Sequence, residues 1–254
     1  MCVHSSLRSF GHVEGRPRTV IDGMLDAGCT VVVPTFSSVF EVAPPIAQRI
    51  PRNGIDYDAY FASRPASDAV YSPDSEEIDR YMGVVPKAVL AMEGRVRGPH
   101  PLNSFTAVGP LAEDLIDGQT AMGVYAPLKR VSELGGMFAL MGARLTSMTA
   151  IHLAEEMAGR TLFRRWARGP SGSLVQVATG SCSSGFNRLD ATLLGIERQT
   201  LVGSSRWRVF PAGQMLRLAS DTIRGDPMIT HCGQKSCPVC PDAVAGGPIV
   251  SSAG

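Results

Sequence analysis

Gly136-Met137-Phe138-Ala139-Leu140-Met141-Gly142, followed by Ala143 to Met148 and then Thr149-Ala150-Ile151-His152-Leu153-Ala154-Glu155-Glu156, is the stretch that decides the fold. The first seven residues are a short apolar run bounded by glycines, which reads as a core strand. The last eight read as the start of a helix. In α/β proteins, sites commonly form where the C-terminal end of a strand feeds a loop and a helix N-terminus. His152 and Glu155 are three residues apart, so on a helix they share one face. A carboxylate so placed can orient an imidazole, as a general base requires. An ordinary amphipathic helix with one partly buried histidine has the same spacing. Thr149 stands where an N-cap is expected, and the positive end of the helix dipole disfavours an imidazolium in the first turn. A neutral imidazole there can accept a proton. Glu156 is expected to face elsewhere. The chain contains no H-E-x-x-H, which argues against a metalloprotease.

Working outward, Thr30 to Thr35 reads TVVVPT, a β-branched run ended by proline and hence a buried strand. Arg18 to Ala27 carries Val20, Ile21, Met24 and Leu25 at helical spacing. Val3 and the residues just after it fit the end of an earlier strand. Residues 41 to 75 lack periodicity and read as a long irregular excursion, the kind of loop that carries binding functions. Ser75 to Glu93 is expected to be partly helical with a break at Pro86. Ala107 to Ile116 is expected to be helical, with Gly109-Pro110 near its start. Downstream, Leu174 to Thr179 reads as a strand and Phe186 to Leu194 as a helix. Trp207 to Leu218 mixes both signals, and Gly246 to Gly254 reads as a frayed tail. The alternation predicts an α/β fold: a mixed central sheet flanked by helices, with irregular insertions, in one domain spanning 1–254.

At 44% hydrophobic and 19% charged over 254 residues, the chain can bury a sizeable core, and disorder is not expected. Lys plus Arg (24) nearly balances Asp plus Glu (23), so no strong field points to nucleic acid or an anionic membrane. No apolar run is long enough to span a bilayer and no signal peptide is apparent, so a cytoplasmic protein is expected.

Two further segments contain groups suited to phosphate. Val3-His4-Ser5-Ser6-Leu7-Arg8-Ser9-Phe10-Gly11 follows a strand with small hydroxyl residues and an arginine. Arg95-Val96-Arg97-Gly98-Pro99-His100-Pro101-Leu102-Asn103-Ser104-Phe105 sets two arginines beside a rigid Pro-His-Pro turn. Each alone also reads as a plain polar or basic loop. Taken in order, VHSSLRSFG, VVVPTFS, RVRGPHPLNSFTAVGPLAE and MTAIHLAEEMA resemble the successive motifs of the antibiotic acetyltransferases, the aminoglycoside 3-N-acetyltransferase family. The resemblance is dense over residues 3 to 160 and looser beyond.

It implies acetyl transfer from acetyl-CoA to the 3-amine of a deoxystreptamine aminoglycoside, or to the amine of another small polyamine. The family's His-x-x-Glu pair falls on His152 and Glu155, as base and orienting carboxylate. Its CoA-contacting loops fall on Ser5, Ser6, Leu7, Thr35, Phe36, Ser104 and Phe105. Arg8 and Arg97 are added on charge alone. His152 would take a proton from the amine, and backbone N–H groups would stabilise the oxyanion. Asp56, Asp58, Glu93 and Asp190 are candidate acids for a polycationic substrate. The family usually carries a further helix and part of a strand before its first motif, on the order of two dozen residues. Without it, a sheet edge would be expected to lie exposed or the CoA pocket to be impaired. A Ser usually precedes the Pro of a later SP motif, where Tyr125-Ala126 precede Pro127 here.

The six cysteines are unevenly placed, with Cys232, Cys237 and Cys240 together. Cys237-Pro238-Val239-Cys240 is a C-x-x-C half-site for a tetrahedral ion. Some family members end in a similar Asp-Pro-hydrophobic run, then His, then C-x-x-C, which Asp226-Pro227 to Cys240 matches. The expected structural zinc set is His231, Cys237 and Cys240, with Cys182 as a distant fourth ligand and Cys232 as the competing choice. Two other readings remain. Gly180-Ser181-Cys182-Ser183-Ser184-Gly185 would act as a nucleophile turn with an acyl-enzyme on Cys182. The chain would otherwise be a non-catalytic, zinc-stabilised binding homologue.

Overall fold

The structure is a computed structural model that describes residues 1–64, 67–169 and 171–250. Its strands are β1 (Cys2–Ser5), β2 (Val31–Pro34), β3 (Val96–Arg97), β4 (Phe105–Val108), β5 (Met137–Met141), β6 (Phe163–Arg168), β7 (Leu174–Thr179), β8 (Arg198–Val202) and β9 (Ser205–Pro211). Seven form one sheet in the order β3-β4-β2-β1-β5-β9-β8, and β6 pairs with β7 in a separate hairpin. β1 runs parallel to β2 and β5, while the outer pairings are antiparallel. The helices are α1 (Arg16–Asp26), α2 (Tyr57–Ala62), α3 (Val84–Leu90), α4 (Ala112–Ile116), α5 (Ala126–Glu133), α6 (Ala150–Met157), α7 (Asp190–Leu193), α8 (Ala212–Gly225) and α9 (Val239–Val244). The mixed α/β sheet expected from the sequence is present.

Side chains alternate across a strand, so a strand covered on both faces must be apolar throughout. In β5, Phe138 and Leu140 enter one core with Leu128, Ile151 and Leu216 of α5, α6 and α8. Ala139 and Met141 enter the other with Ile21 and Val89 of α1 and α3. The result is three layers, and it explains why GMFALMG has no polar face.

Several expectations need correction. Phe105–Val108 is not the start of a helix but strand β4, paired on both sides by β2 and β3. Gly109 then turns the chain with a φ of 116°, and a Cβ there would lie 2.9 Å from Thr30 Cα, so helix α4 starts only at Ala112. Pro86 does not break a helix. It occupies the first turn of α3, where its missing N–H has no intrahelical role. Thr149 does not cap α6: its backbone is already helical and its side chain makes no cap bond. Gly246 to Val250 is not frayed. Gly247 and Pro248 are buried, the Gly247 carbonyl accepts from Arg52 Nε at 2.6 Å, and the Ile249 N–H donates to the Pro51 carbonyl. The rest of that tail lies outside the described residues. β1 is the fourth of seven strands, so the sheet edges are β3 and β8 rather than the N-terminal strand. Among the described residues, no helix is long and apolar enough to cross a membrane.

His100, in the turn between β3 and β4, is fully buried and structural. Its Nδ1 accepts from the Leu102 and Asn103 N–H groups, so Nε2 carries the proton and donates to the Ala178 carbonyl at 2.9 Å. Burial pushes its pKa down to about 4 from the usual 6.5. The unfolded chain therefore binds a proton that the native state refuses. The stability His100 contributes is complete above pH 6.5 and is lost as pH falls towards 4, by on the order of 3 kcal/mol. Denaturant titrations from pH 7 to 4 should show a steeper decline for wild type than for His100→Gln. Parallel declines would refute this.

Candidate active site

The three parallel strands end together at Ser5, Pro34 and Met141, and a cavity of about 390 Å³ opens at that end. The crevice beyond the C-terminal ends of parallel strands is the usual ligand site of open α/β sheets. Ser5, Phe36, Met148, His152, Gly180 and Ser181 are among its lining residues. β5 delivers the chain through Gly142 (φ 68°) to α6, whose first turn brings His152 into the cavity wall.

His152 Nδ1 lies 2.9 Å from Glu155 Oε2. Glu155 is 2% exposed. Burial alone would raise its pKa, but hydrogen bonds from His152 and Ser181 and the charge of Arg160 outweigh that and hold it below the ordinary value. An ionised carboxylate can only accept, so Nδ1 carries the proton and donates to Glu155 at 2.9 Å, and the Ser181 N–H 3.3 Å away is a contact rather than a donor to it. Among the described residues Nε2 has no hydrogen-bond partner, and it is not sealed from solvent, so it is the nitrogen available to a solute.

Both oxygens of Glu155 are gripped. Oε2 accepts from Ser181 Oγ at 2.6 Å as well as from His152. Oε1 accepts from Arg160 Nη1 at 2.5 Å and Thr230 Oγ1 at 3.0 Å. Arg160 also donates to the Thr230 hydroxyl and the Pro227 carbonyl. A buried charge needs this degree of pairing. The imidazole is packed on several sides. Tyr125 stacks nearly parallel at 6.1 Å and Phe186 meets its edge at 4.8 Å. Gly180 lies so close that a Cβ would fall 2.6 Å from His152 Cγ. Sequence reasoning did not assign Arg160, Ser181, Thr230, Tyr125 or Gly180 to this centre. Tyr125 stands out only as a departure from the SP motif, and Gly180 and Ser181 only as part of a candidate nucleophile turn.

The residues expected to hold CoA separate into three groups. Ser5 and Phe36 line the cavity. Ser6 and Leu7 follow on the turn after β1, Leu7 half-buried against the α1–α3 core, and Arg8 is exposed. Thr35, Ser104, Phe105 and Arg97 do not line the cavity: all four are buried behind it. The Thr35 hydroxyl bonds to Ser104 and Thr106, and Arg97 donates to Ser104, Ser37 and the Ser75, Thr35 and Glu77 carbonyls. Arg97 is thus a strut for the 75–79 segment and not a phosphate ligand.

The four acids named from the sequence line neither this cavity nor its neighbour. Asp56 caps α2, Asp58 pairs with Arg49, Asp190 pairs with Arg208, and Glu93 is exposed. Across Gly180 and Ser181 the cleft continues into a second space of about 380 Å³ that contains Glu41, Tyr60, Asp79 and Cys182. Glu41 pairs there with Arg64 and Tyr60, and Asp79 accepts from Ser38 and Tyr81. Two sides of this space come from the 41–75 excursion and the segment that follows it.

The sulfurs of Cys182, Cys232, Cys237 and Cys240 lie within 4.8 Å of one another. His231 is not among them. Its Nδ1 accepts from the Gly233 N–H, so Cys232 takes the place expected for it. Cys182, read also as an acyl acceptor, has its sulfur in this cluster, and burial raises its pKa.

The sequence profile described as aminoglycoside 3-N-acetyltransferase matches residues 2–224. The chain belongs to this antibiotic N-acetyltransferase family. Aminoglycoside N(3)-acetyltransferase VIII of Streptomyces fradiae is 36% identical over 87% of the chain and 84% of its own length. Aminoglycoside N(3)-acetyltransferase IX of Micromonospora chalcea is 35% identical over 61% of the chain, and the match spans about half (54%) of that relative. The crystal structure of the aminoglycoside acetyltransferase AAC(3)-IVa apoenzyme superposes with a TM-score of 0.74 at 25% identity, covering 96% of this chain and 89% of that one. As an N-acetyltransferase of this family, the chain is an acyltransferase enzyme.

Proposed function

We propose that the chain transfers the acetyl group of acetyl-CoA to the 3-amine of a deoxystreptamine aminoglycoside, and so confers resistance to it. The observation that carries the reading is a histidine fixed through Nδ1 by an ionised glutamate, with Nε2 open to the cavity. An ammonium cannot attack a thioester. The ammonium first loses one proton to solvent, and the free amine attacks the acetyl carbon while His152 Nε2 takes a second proton from the attacking nitrogen, directly or through water. Glu155, held ionised by Arg160, stabilises the resulting imidazolium. The C–S bond then breaks, and the imidazolium returns its proton to the CoA thiolate, which leaves as the thiol. Acetyl-CoA enters from the Ser5–Phe36 side. The aminoglycoside takes the space beside Glu41 and Asp79, whose carboxylates suit a polycation. A solved relative has CoA bound and another holds a gentamicin.

A thiol-release assay with acetyl-CoA against a panel of aminoglycosides tests this. Release is expected with compounds bearing a free 3-amine and none with one whose 3-amine is blocked. Acetylation of the blocked compound overturns the regiochemistry, and release only with non-antibiotic amines overturns the substrate class.

We further infer that the C-terminal thiols hold a structural zinc. A tetrahedral ion with Zn–S bonds of about 2.3 Å sets its sulfurs about 3.8 Å apart, and the four sulfurs here all lie within 4.8 Å of one another. Four protein ligands leave no open position, so the ion takes no part in acetyl transfer.

A further inference from the structure

The four cysteines are joined to the catalytic carboxylate through short stretches of chain. Cys182 directly follows Ser181, whose hydroxyl donates to Glu155 Oε2 at 2.6 Å and whose amide lies 3.3 Å from His152 Nδ1. Cys232 stands two residues after Thr230, whose hydroxyl donates to Glu155 Oε1 at 3.0 Å. The two segments also touch directly. A Cβ on Gly185 would lie 2.2 Å from the Thr230 carbonyl, so the backbones lie against each other with no side chain between. Within the cluster, the Cys232 N–H donates to Cys240 Sγ at 3.3 Å and the Gln234 N–H to Cys232 Sγ at 3.4 Å. Such N–H···S bonds stabilise thiolate and orient it.

We propose that the tetrathiolate ion is a clamp on the catalytic pair: it ties together the two chain segments whose Ser181 and Thr230 hydroxyls hold the two oxygens of Glu155. This rests on the zinc and acetyl-transfer readings above. Binding displaces the thiol protons to solvent and leaves four thiolates on the ion. Neither segment belongs to the central sheet: Ser181 and Cys182 follow the hairpin β6–β7, and Thr230 to Cys237 lie between α8 and α9. The two N–H···S contacts both lie within the second segment, so without the ion they do not tie Cys182 to it. Ser181 and Thr230 are therefore positioning residues, and the metal acts on turnover through them.

The test compares zinc-loaded protein with the same protein stripped by a chelator under reducing conditions and then reloaded with zinc. Elemental analysis should find one zinc per chain before stripping, lost in Cys240→Ser. Hydrogen exchange read by mass spectrometry should rise about tenfold or more in peptides covering 179–186 and 228–241 after stripping, with α1 unchanged. Turnover should fall about 10- to 100-fold with KM for acetyl-CoA nearly constant, as for lost outer-shell support, and zinc should restore both readouts. Unchanged exchange over 179–186 in fully stripped protein overturns the clamp while the zinc site stands. Protein that neither carries nor takes up zinc overturns the site itself. Loaded protein that turns over no aminoglycoside overturns the reaction, and the exchange data still decide the clamp.

Discussion

His152→Ala is expected to lower kcat for aminoglycoside acetylation by roughly 10²- to 10⁴-fold, the usual contribution of a positioned general base. The fold should survive. His152 is buried at one wall of a cavity, and among the described residues its side chain hydrogen-bonds only within the Glu155–Ser181 network. Circular dichroism and the thermal midpoint should therefore stay near wild type while steady-state turnover collapses. Glu155→Gln is expected to lose comparable activity, because a neutral amide no longer stabilises the imidazolium. It differs in stability. The Arg160 charge, 8% exposed, would be left without its anion, at a cost of roughly 3 to 5 kcal/mol. The pair of variants thus separates chemistry from structure. A folded His152→Ala protein with near-normal rates would sink the general-base assignment.

Gly180→Ala should be nearly as damaging without removing any catalytic group. The added methyl would lie 2.5 Å from Tyr125 Oη and 2.6 Å from His152 Cγ, well inside van der Waals contact. The imidazole must tilt or move, and a displacement near 1 Å costs about 10²-fold in rate. Overpacking of this kind destabilises by roughly 1 to 3 kcal/mol, which leaves a folded protein. Adding Tyr125→Phe relieves the hydroxyl contact and leaves the ring contact, so rescue should be partial. Wild-type turnover in Gly180→Ala would show that the ring has room the structure does not display.

What the sequence made legible follows from how local each feature is. GMFALMG and TVVVPT are buried on both faces, so their composition alone marks them as strands. β3 and β8 lie at the sheet edges; one is two residues long and the other is exposed along its whole length, and neither shows an apolar pattern. FRRWAR in β6 draws no strand reading, since its three arginines mask the pattern and reach carbonyls and Glu41 that only the folded chain supplies. Charge alone marks Arg97 as a phosphate ligand, yet its burial among five acceptors is a tertiary property. The His152–Glu155 spacing is readable because one helical turn generates it. Arg160, Ser181 and Thr230 reach the same carboxylate from separate segments, and no periodicity announces them. His231 and Cys232 are neighbours, so spacing could not tell which one points at the other cysteines.

The position of β1 governs when the catalytic centre can exist. Val3 pairs with Ala139 and Ser5 with Met141, so the middle of the sheet closes only after about 135 further residues have been made. Such long-range parallel pairing is slow, and until it forms the β5-facing edge of β1 has no cover. Glu155 gains its last partner later still, from Thr230. A nascent or truncated chain should therefore depend on chaperone protection and show no activity until nearly all of it has left the ribosome.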